Sequence, residues 1–157
     1  LDVRHGSFEG LAPEPGRYDV IFMGDVLEHL IQPLEMLTKA HSMVKASGVV
    51  ALEVPSMFNS LTGRCATAGM RLLGTKKKMT LPPYHVNEFT PKTLRAIIER
   101  AGFREALVIQ RIKPPSAITL RGSGFEKAVK KILHYPNYGL TKSLGVFGDR
   151  LLGIGIK

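Results

Sequence analysis

Apolar residues along this chain follow two rhythms. Runs of strand length, Tyr18 to Gly24, Val49 to Val54, Ala106 to Ile112 and Leu151 to Ile156, alternate with stretches in which apolar positions recur every three or four residues. Short apolar runs bounded by turn residues read as buried strands, and the 3.6-residue rhythm reads as amphipathic helices. Pro33 suits the first turn of a helix carrying Leu34, Leu37, Ala40 and Val44, which Lys45 and Gly48 close. Asn59 or Ser60 can cap a helix running toward Leu73 that carries Leu61, Cys65, Ala68 and Leu72. Thr90-Pro91 opens another, with Leu94, Ile97, Ile98 and Ala101 on one face and Gly102 at its stop. Ser123 and Glu126 have capping-box spacing ahead of a stripe of Phe125, Val129, Ile132 and Leu133, opposite Lys127, Lys130 and Lys131. Strand-helix-strand units of this kind connect in parallel, right-handed fashion, so the expected class is α/β.

The chemistry is concentrated where the first strand ends. Asp25, Glu28 and His29 follow Gly24 at once, and the carboxyl end of a strand in an open α/β sheet is where ligands sit. The three are spaced i, i+3 and i+4, so a helical turn would let them converge on one ion. The competing reading is that a Glu-His pair braces the strand exit. Pro55, Ser56 and Asn59 follow the next strand, on the other side of the same crevice, and are candidate acceptor-binding positions with Tyr84. His29 and His85 are the natural general-base candidates, because imidazole titrates near neutral pH.

Composition narrows the class. With 157 residues and 44% hydrophobic content the chain can bury a substantial core as a single domain, and its lone Cys65, in a helical pattern, reads as a buried inert thiol in a reducing, cytoplasmic setting. No apolar run approaches the ~20 residues needed to span a bilayer. The net charge of +9 is uneven: no acidic residue lies between Glu53 and Glu88, while Arg64, Arg71, Lys76, Lys77 and Lys78 do. That clustering suits an anionic surface, including a peripheral membrane contact, or a solvated face. Aromatic residues are not interleaved with the basic runs, which argues against nucleic acid.

Taken together, Asp19-Val20-Ile21 with Asp25-Val26-Leu27-Glu28-His29, then Gly48-Val49-Val50-Ala51-Leu52-Glu53-Val54-Pro55-Ser56, then His85-Val86-Asn87-Glu88-Phe89-Thr90 and Ala101-Gly102-Phe103 resemble the second half of a class I S-adenosylmethionine-dependent methyltransferase. The resemblance implies a Rossmann-like methyltransferase sheet with flanking helices, truncated at the N-terminus, because no Gly-rich turn or GxGxG precedes the Asp25 strand. It implies one partial domain over 1–157, with a substrate-covering region near 56–88 and a helix and last, antiparallel edge strand near 123–157. It implies S-adenosylmethionine as cofactor, bound on the side of Ser7, Phe8, Met23, Gly24 and Asp25. The methyl acceptor would be a small molecule, glycan or lipid precursor, taken by direct displacement, with little activity in this portion alone. Ubiquinone-biosynthesis O-methyltransferases and small-RNA 3′-end 2′-O-methyltransferases are similar here and use a carboxylate-histidine cluster for a divalent metal, to which the second adds a later histidine, as His85 would be. The reading taken is no metal, with Asp25, Glu28 and His29 as the alternative metal set. A sheet cut open also implies self-association through unpaired edges. The rival class is a degenerate, non-catalytic methyltransferase-like module that binds nucleic acid or an anionic membrane surface.

Overall fold

Residues 5–74, 85–117 and 124–157 are described by a computed structural model. Lys76–Lys78, Tyr84 and the Ser123 cap therefore lie outside the described residues, as do the side chains of Phe125, Lys127, Val129 and Lys130. Four strands, β1 (Tyr18–Gly24), β2 (Val44–Pro55), β3 (Glu105–Arg111) and β4 (Arg150–Ile156), form one sheet in the order β1-β2-β4-β3. β1 and β2 are parallel, and β4 runs antiparallel to both its neighbours. The helices are α1 (Pro33–Met43), α2 (Leu61–Leu72), α3 (Pro91–Arg100) and α4 (Gly124–Leu144).

Period-two alternation puts Val50, Leu52 and Val54 of β2 on one side of the sheet, where they meet Leu37 and Ala40 of α1 and Leu94 and Ile98 of α3 in a single core. Each fully buried Val, Leu or Ile among them contributes about 1.5–3 kcal/mol. α3 is well specified locally. Thr90 and Thr93 exchange a capping box, Pro91 occupies the first turn, and Gly102, at φ +101°, takes the left-handed stop that a residue with a Cβ resists.

Three expectations are corrected. The last strand is antiparallel but not at the edge: β4 lies between β2 and β3. Its glycines explain how it is admitted beneath α3. A Cβ at Gly155 would sit 2.7 Å from Ile98 Cγ2 and 2.8 Å from Phe103 Cγ, and one at Gly153 would sit 3.0 Å from Ile98 Cδ1. Without side chains at these two positions, the strand leaves room for the helix's own.

The helix after Pro33 stops at Met43, not near Gly48, and Val44 already belongs to β2. Val44 is extended and aligned with Tyr18, while Val20 is aligned with Val49. Between those pairs β1 advances two residues and β2 five, so β2 carries a three-residue irregularity. Gly48 permits it, because a Cβ there would lie 2.8 Å from the Cβ of Val44.

Cys65 is exposed rather than buried, and α2 contains no buried residue. α2 packs on the Met57–Asn59 turn and on α4, outside the main core, so its apolar positions never reach the sheet. No described helix is long and apolar enough to cross a membrane. The second face of the sheet is also notable: Val20 and Phe22 on β1 and Leu107 and Ile109 on β3 are all exposed.

Candidate active site

β1 delivers its carboxyl end to the rim of the sheet, and the chain turns there at Asp25, whose φ of +52° is rare for a residue with a side chain. The Asp25 backbone N–H donates to Glu53 O at 2.9 Å, continuing the β1–β2 ladder one residue past the strand. A 3-10 turn over Leu27–His29 follows. Leu27 sinks into the core, and this aims the next two residues across the rim. Glu28 is 1% exposed, with Oε1 3.8 Å from His29 Nε2 and Oε2 buried without a hydrogen-bond partner among the described residues.

The 85–87 loop is pinned onto this turn. Val86 N–H and Asn87 N–H both donate to Glu28 O at 2.9 Å, and Asn87 Nδ2 donates to Leu30 O at 2.6 Å. His85 is thereby set edge-on against His29, with ring centroids 5.1 Å apart. One carboxylate oxygen of Glu28 and one nitrogen from each of His29 and His85 all lie within 4.8 Å of one another. Nearby, desolvation holds the Glu88 carboxyl above the usual carboxylate range, opposed by the backbone N–H of Phe58, the charge of His85 and the backbone N–H of Met57.

The structure brings together residues 56 sequence positions apart, His29 and His85, and leaves other expected partners aside. Asp25 is not on the helical turn. Its carboxylate accepts from Arg150 Nη2, while Arg150 Nε stands 2.9 Å from Glu53 Oε1 as an ion pair not aligned as a hydrogen bond. Met23 faces the core and Gly24 is half-buried at the strand end. Ser7 and Phe8 lie with Arg17 and Tyr18, at the opposite end of β1, lining a cavity of about 730 Å³. Ser56 is buried, its hydroxyl donating to Phe89 O at 2.6 Å. Asn59 is closed into a network, donating to Gln110 Oε1 and Gly148 O and accepting from Arg64 Nη2. Ser56 and Asn59 are thus engaged in hydrogen bonds within the protein just beyond the end of β2.

Arg150, Glu53 and Glu88 were not foreseen. An acidic residue inside the otherwise apolar run Val49 to Val54 was the one signal for Glu53. Nothing local marks Arg150, which reaches Asp25 across 125 positions.

A family model described as a methyltransferase domain matches residues 1–107, more than half of the chain. The chain belongs to the methyltransferase-domain family. A ubiquinone biosynthesis O-methyltransferase of a Ruegeria species is 30% identical over 106 residues, which is 65% of this chain and 40% of that protein. One from Azotobacter vinelandii is 28% identical over 90 residues, covering 57% of this chain and 36% of its own. This methyltransferase domain therefore spans well under half the length of these curated relatives.

Among solved structures, an S-adenosylmethionine-dependent methyltransferase of Thermotoga maritima superposes with a TM-score of 0.61 at 20% identity, over 97% of this chain and 62% of that one. The Haemonchus contortus phosphoethanolamine N-methyltransferase 2, solved with phosphomonomethylethanolamine and S-adenosylhomocysteine, does so with a TM-score of 0.55 at 10% identity, over 96% and 36%. The α/β sheet with flanking helices is the Rossmann-like fold of these methyltransferases.

Proposed function

We propose that this methyltransferase domain forms the acceptor-facing part of an enzyme that moves the methyl group of S-adenosylmethionine to a hydroxyl oxygen of a small molecule. The observation that carries the reading is the convergence of Glu28, His29 and His85 at the carboxyl end of a parallel strand, the place where open α/β sheets bind ligands. The Ruegeria and Azotobacter relatives, named as O-methyltransferases, support oxygen as the acceptor atom. The single cysteine fits a cytoplasmic setting for the same enzyme.

S-adenosylmethionine supplies a methyl group on a cationic sulfur, ready for in-line displacement. The protein's tasks are then to align the acceptor oxygen and to take its proton. Gly24 and Asp25 suit the donor's side by their place at the strand end, where a missing side chain permits close backbone approach. His29 is exposed at the rim beside His85, so a neutral imidazole there takes the hydroxyl proton as the carbon–oxygen bond forms and the sulfur–carbon bond breaks. The Glu28 carboxylate stands beside that ring, Oε1 3.8 Å from His29 Nε2.

A metal-assisted variant of this reading is favoured by one specific observation, the unpartnered buried Glu28 Oε2. A carboxylate oxygen with two imidazole nitrogens fits a divalent transition ion. Glu28, His29 and His85 would hold it, and it would lower the pKa of the acceptor hydroxyl. Asp25 drops out of that set because Arg150 engages its carboxylate.

The test is transfer of radiolabel from S-adenosylmethionine to a panel of small hydroxylated acceptors by the full protein. His29→Gln and His85→Gln are each expected to lower kcat/KM at least about a hundredfold, while S-adenosylhomocysteine binding stays at the wild-type value. Unchanged transfer in both variants sinks the reading. Mn²⁺ binding followed by electron paramagnetic resonance, and lost in Glu28→Gln, selects the metal-assisted variant.

A further inference from the structure

We infer that Arg150 is a positioning residue for the site, holding the Asp25 turn in the left-handed conformation that aims Glu28 and His29 at His85. The inference rests on the proposed reading only for what the aimed side chains do. The geometry stands by itself. Arg150 opens β4, faces Pro55 in the ladder, and reaches two carboxylates, Glu53 of β2 and Asp25 just past the end of β1. Its guanidinium presents donors in a rigid fork, which suits two acceptors that a lysine ammonium could serve only singly.

Asp25 is the point where this matters. A residue with a side chain disfavours φ of +52°, so the conformation persists only when its surroundings over-determine it. Two contacts do so. The Asp25 N–H is held by Glu53 O, and the Asp25 carboxylate is held by Arg150. The same guanidinium pairs with the Glu53 side chain, so strand end, neighbouring strand and turn are tied at one atom group. Two residues later the 3-10 turn begins, and its direction is inherited from Asp25. Without the tie, the exit of β1 relaxes and the His29 ring leaves its edge contact with His85.

The test uses the imidazole C2 proton resonances of His29 and His85, assigned through His29→Gln and His85→Gln. In Arg150→Gln both resonances are expected to move from their wild-type positions, and Mn²⁺ affinity to fall by at least about tenfold, the scale for losing an outer-shell support. Arg150→Lys should fall between Arg150→Gln and wild type. Adding Asp25→Gly to Arg150→Gln should return both histidine resonances toward wild type, because glycine adopts the left-handed region unaided. A purely structural role predicts no such rescue, since the second substitution removes a further ion-pair partner. Histidine resonances that stay in place in a folded Arg150→Gln chain overturn the inference. If that variant does not fold, unchanged resonances in Arg150→Lys overturn it instead. A wild-type chain that takes up no Mn²⁺ while the resonances still respond refutes the metal-assisted variant and leaves the positioning role standing.

Discussion

Val50, Leu52 and Val54 on β2 are sealed beneath α1 and α3, whereas Val20 and Phe22 on the neighbouring strand, belonging to the sheet's other face, are 58% and 63% exposed. β3 repeats the contrast, with Ala106 and Val108 packed on the core and Leu107 and Ile109 exposed. The two faces have nearly the same apolar character, and among the described residues α1 and α3 pack on only one of them. Apolar character of a strand therefore reports a demand for a partner, not the presence of one. Strands that are apolar on both sides belong to sheets covered on both sides, so the open face marks where this fold's stabilisation is incomplete.

The contrast can be broken most forcefully from the covered side. Leu52→Ala removes a fully buried side chain from the centre of the sheet and is expected to cost about 2–5 kcal/mol, read as a lowered denaturant midpoint. A cost below about 1 kcal/mol would mean that the covered face is packed no better than the open one.

A smaller effect is expected at the turn into β4. Burial holds the Asp149 carboxyl above its ordinary value of 3.8, against the opposing pull of His134, and its Oδ1 is buried with no hydrogen-bond partner among the described residues. A carboxyl whose pKa is raised in the folded state favours its neutral form there. Its contribution to stability is therefore present in acid and is lost as pH rises from the unfolded value through the raised one. The melting temperature of Asp149→Asn, measured against wild type from pH 3 upward, should gain on wild type across that window. A difference that does not change with pH contradicts the burial of this group.

The smallest change in stability is expected on the open face. Phe22→Lys should leave the denaturant midpoint within about 0.5 kcal/mol of wild type, yet it places a charge on the exposed edge strand. Sedimentation should show concentration-dependent self-association of the wild-type chain that this substitution reduces. An unfolded Phe22→Lys chain would reveal a covering element that makes the two faces alike.

Much of the fold was legible because its signals are local. The Thr90-Pro91 start and Gly102 stop of α3, and the apolar runs of β1 and β2, need only a few neighbouring residues to be read. The Asp25 to His29 stretch stood out as a candidate site for the same reason, since an acidic-histidine cluster at a strand exit is compact in sequence. Where reading failed, the deciding partner was distant or the signal was shared by two outcomes. Cys65 sits at a helical spacing that would suit burial, yet among the described residues its helix packs mainly on a turn and another helix. The glycines of β4 resemble an edge strand until α3 is seen to need their space.

What the sequence by itself determined is the α/β class, the rim at the end of β1 and the residue types available there, because strand and turn propensities act over a few residues. Tertiary structure decided which of those residues meet. It placed β4 inside the sheet, took Asp25 out of the candidate ligand set by pairing it with Arg150, and set His85 against His29 through two backbone hydrogen bonds to Glu28. Those choices depend on contacts between segments 39 to 125 positions apart. Only packing of the whole sheet specifies contacts of that range.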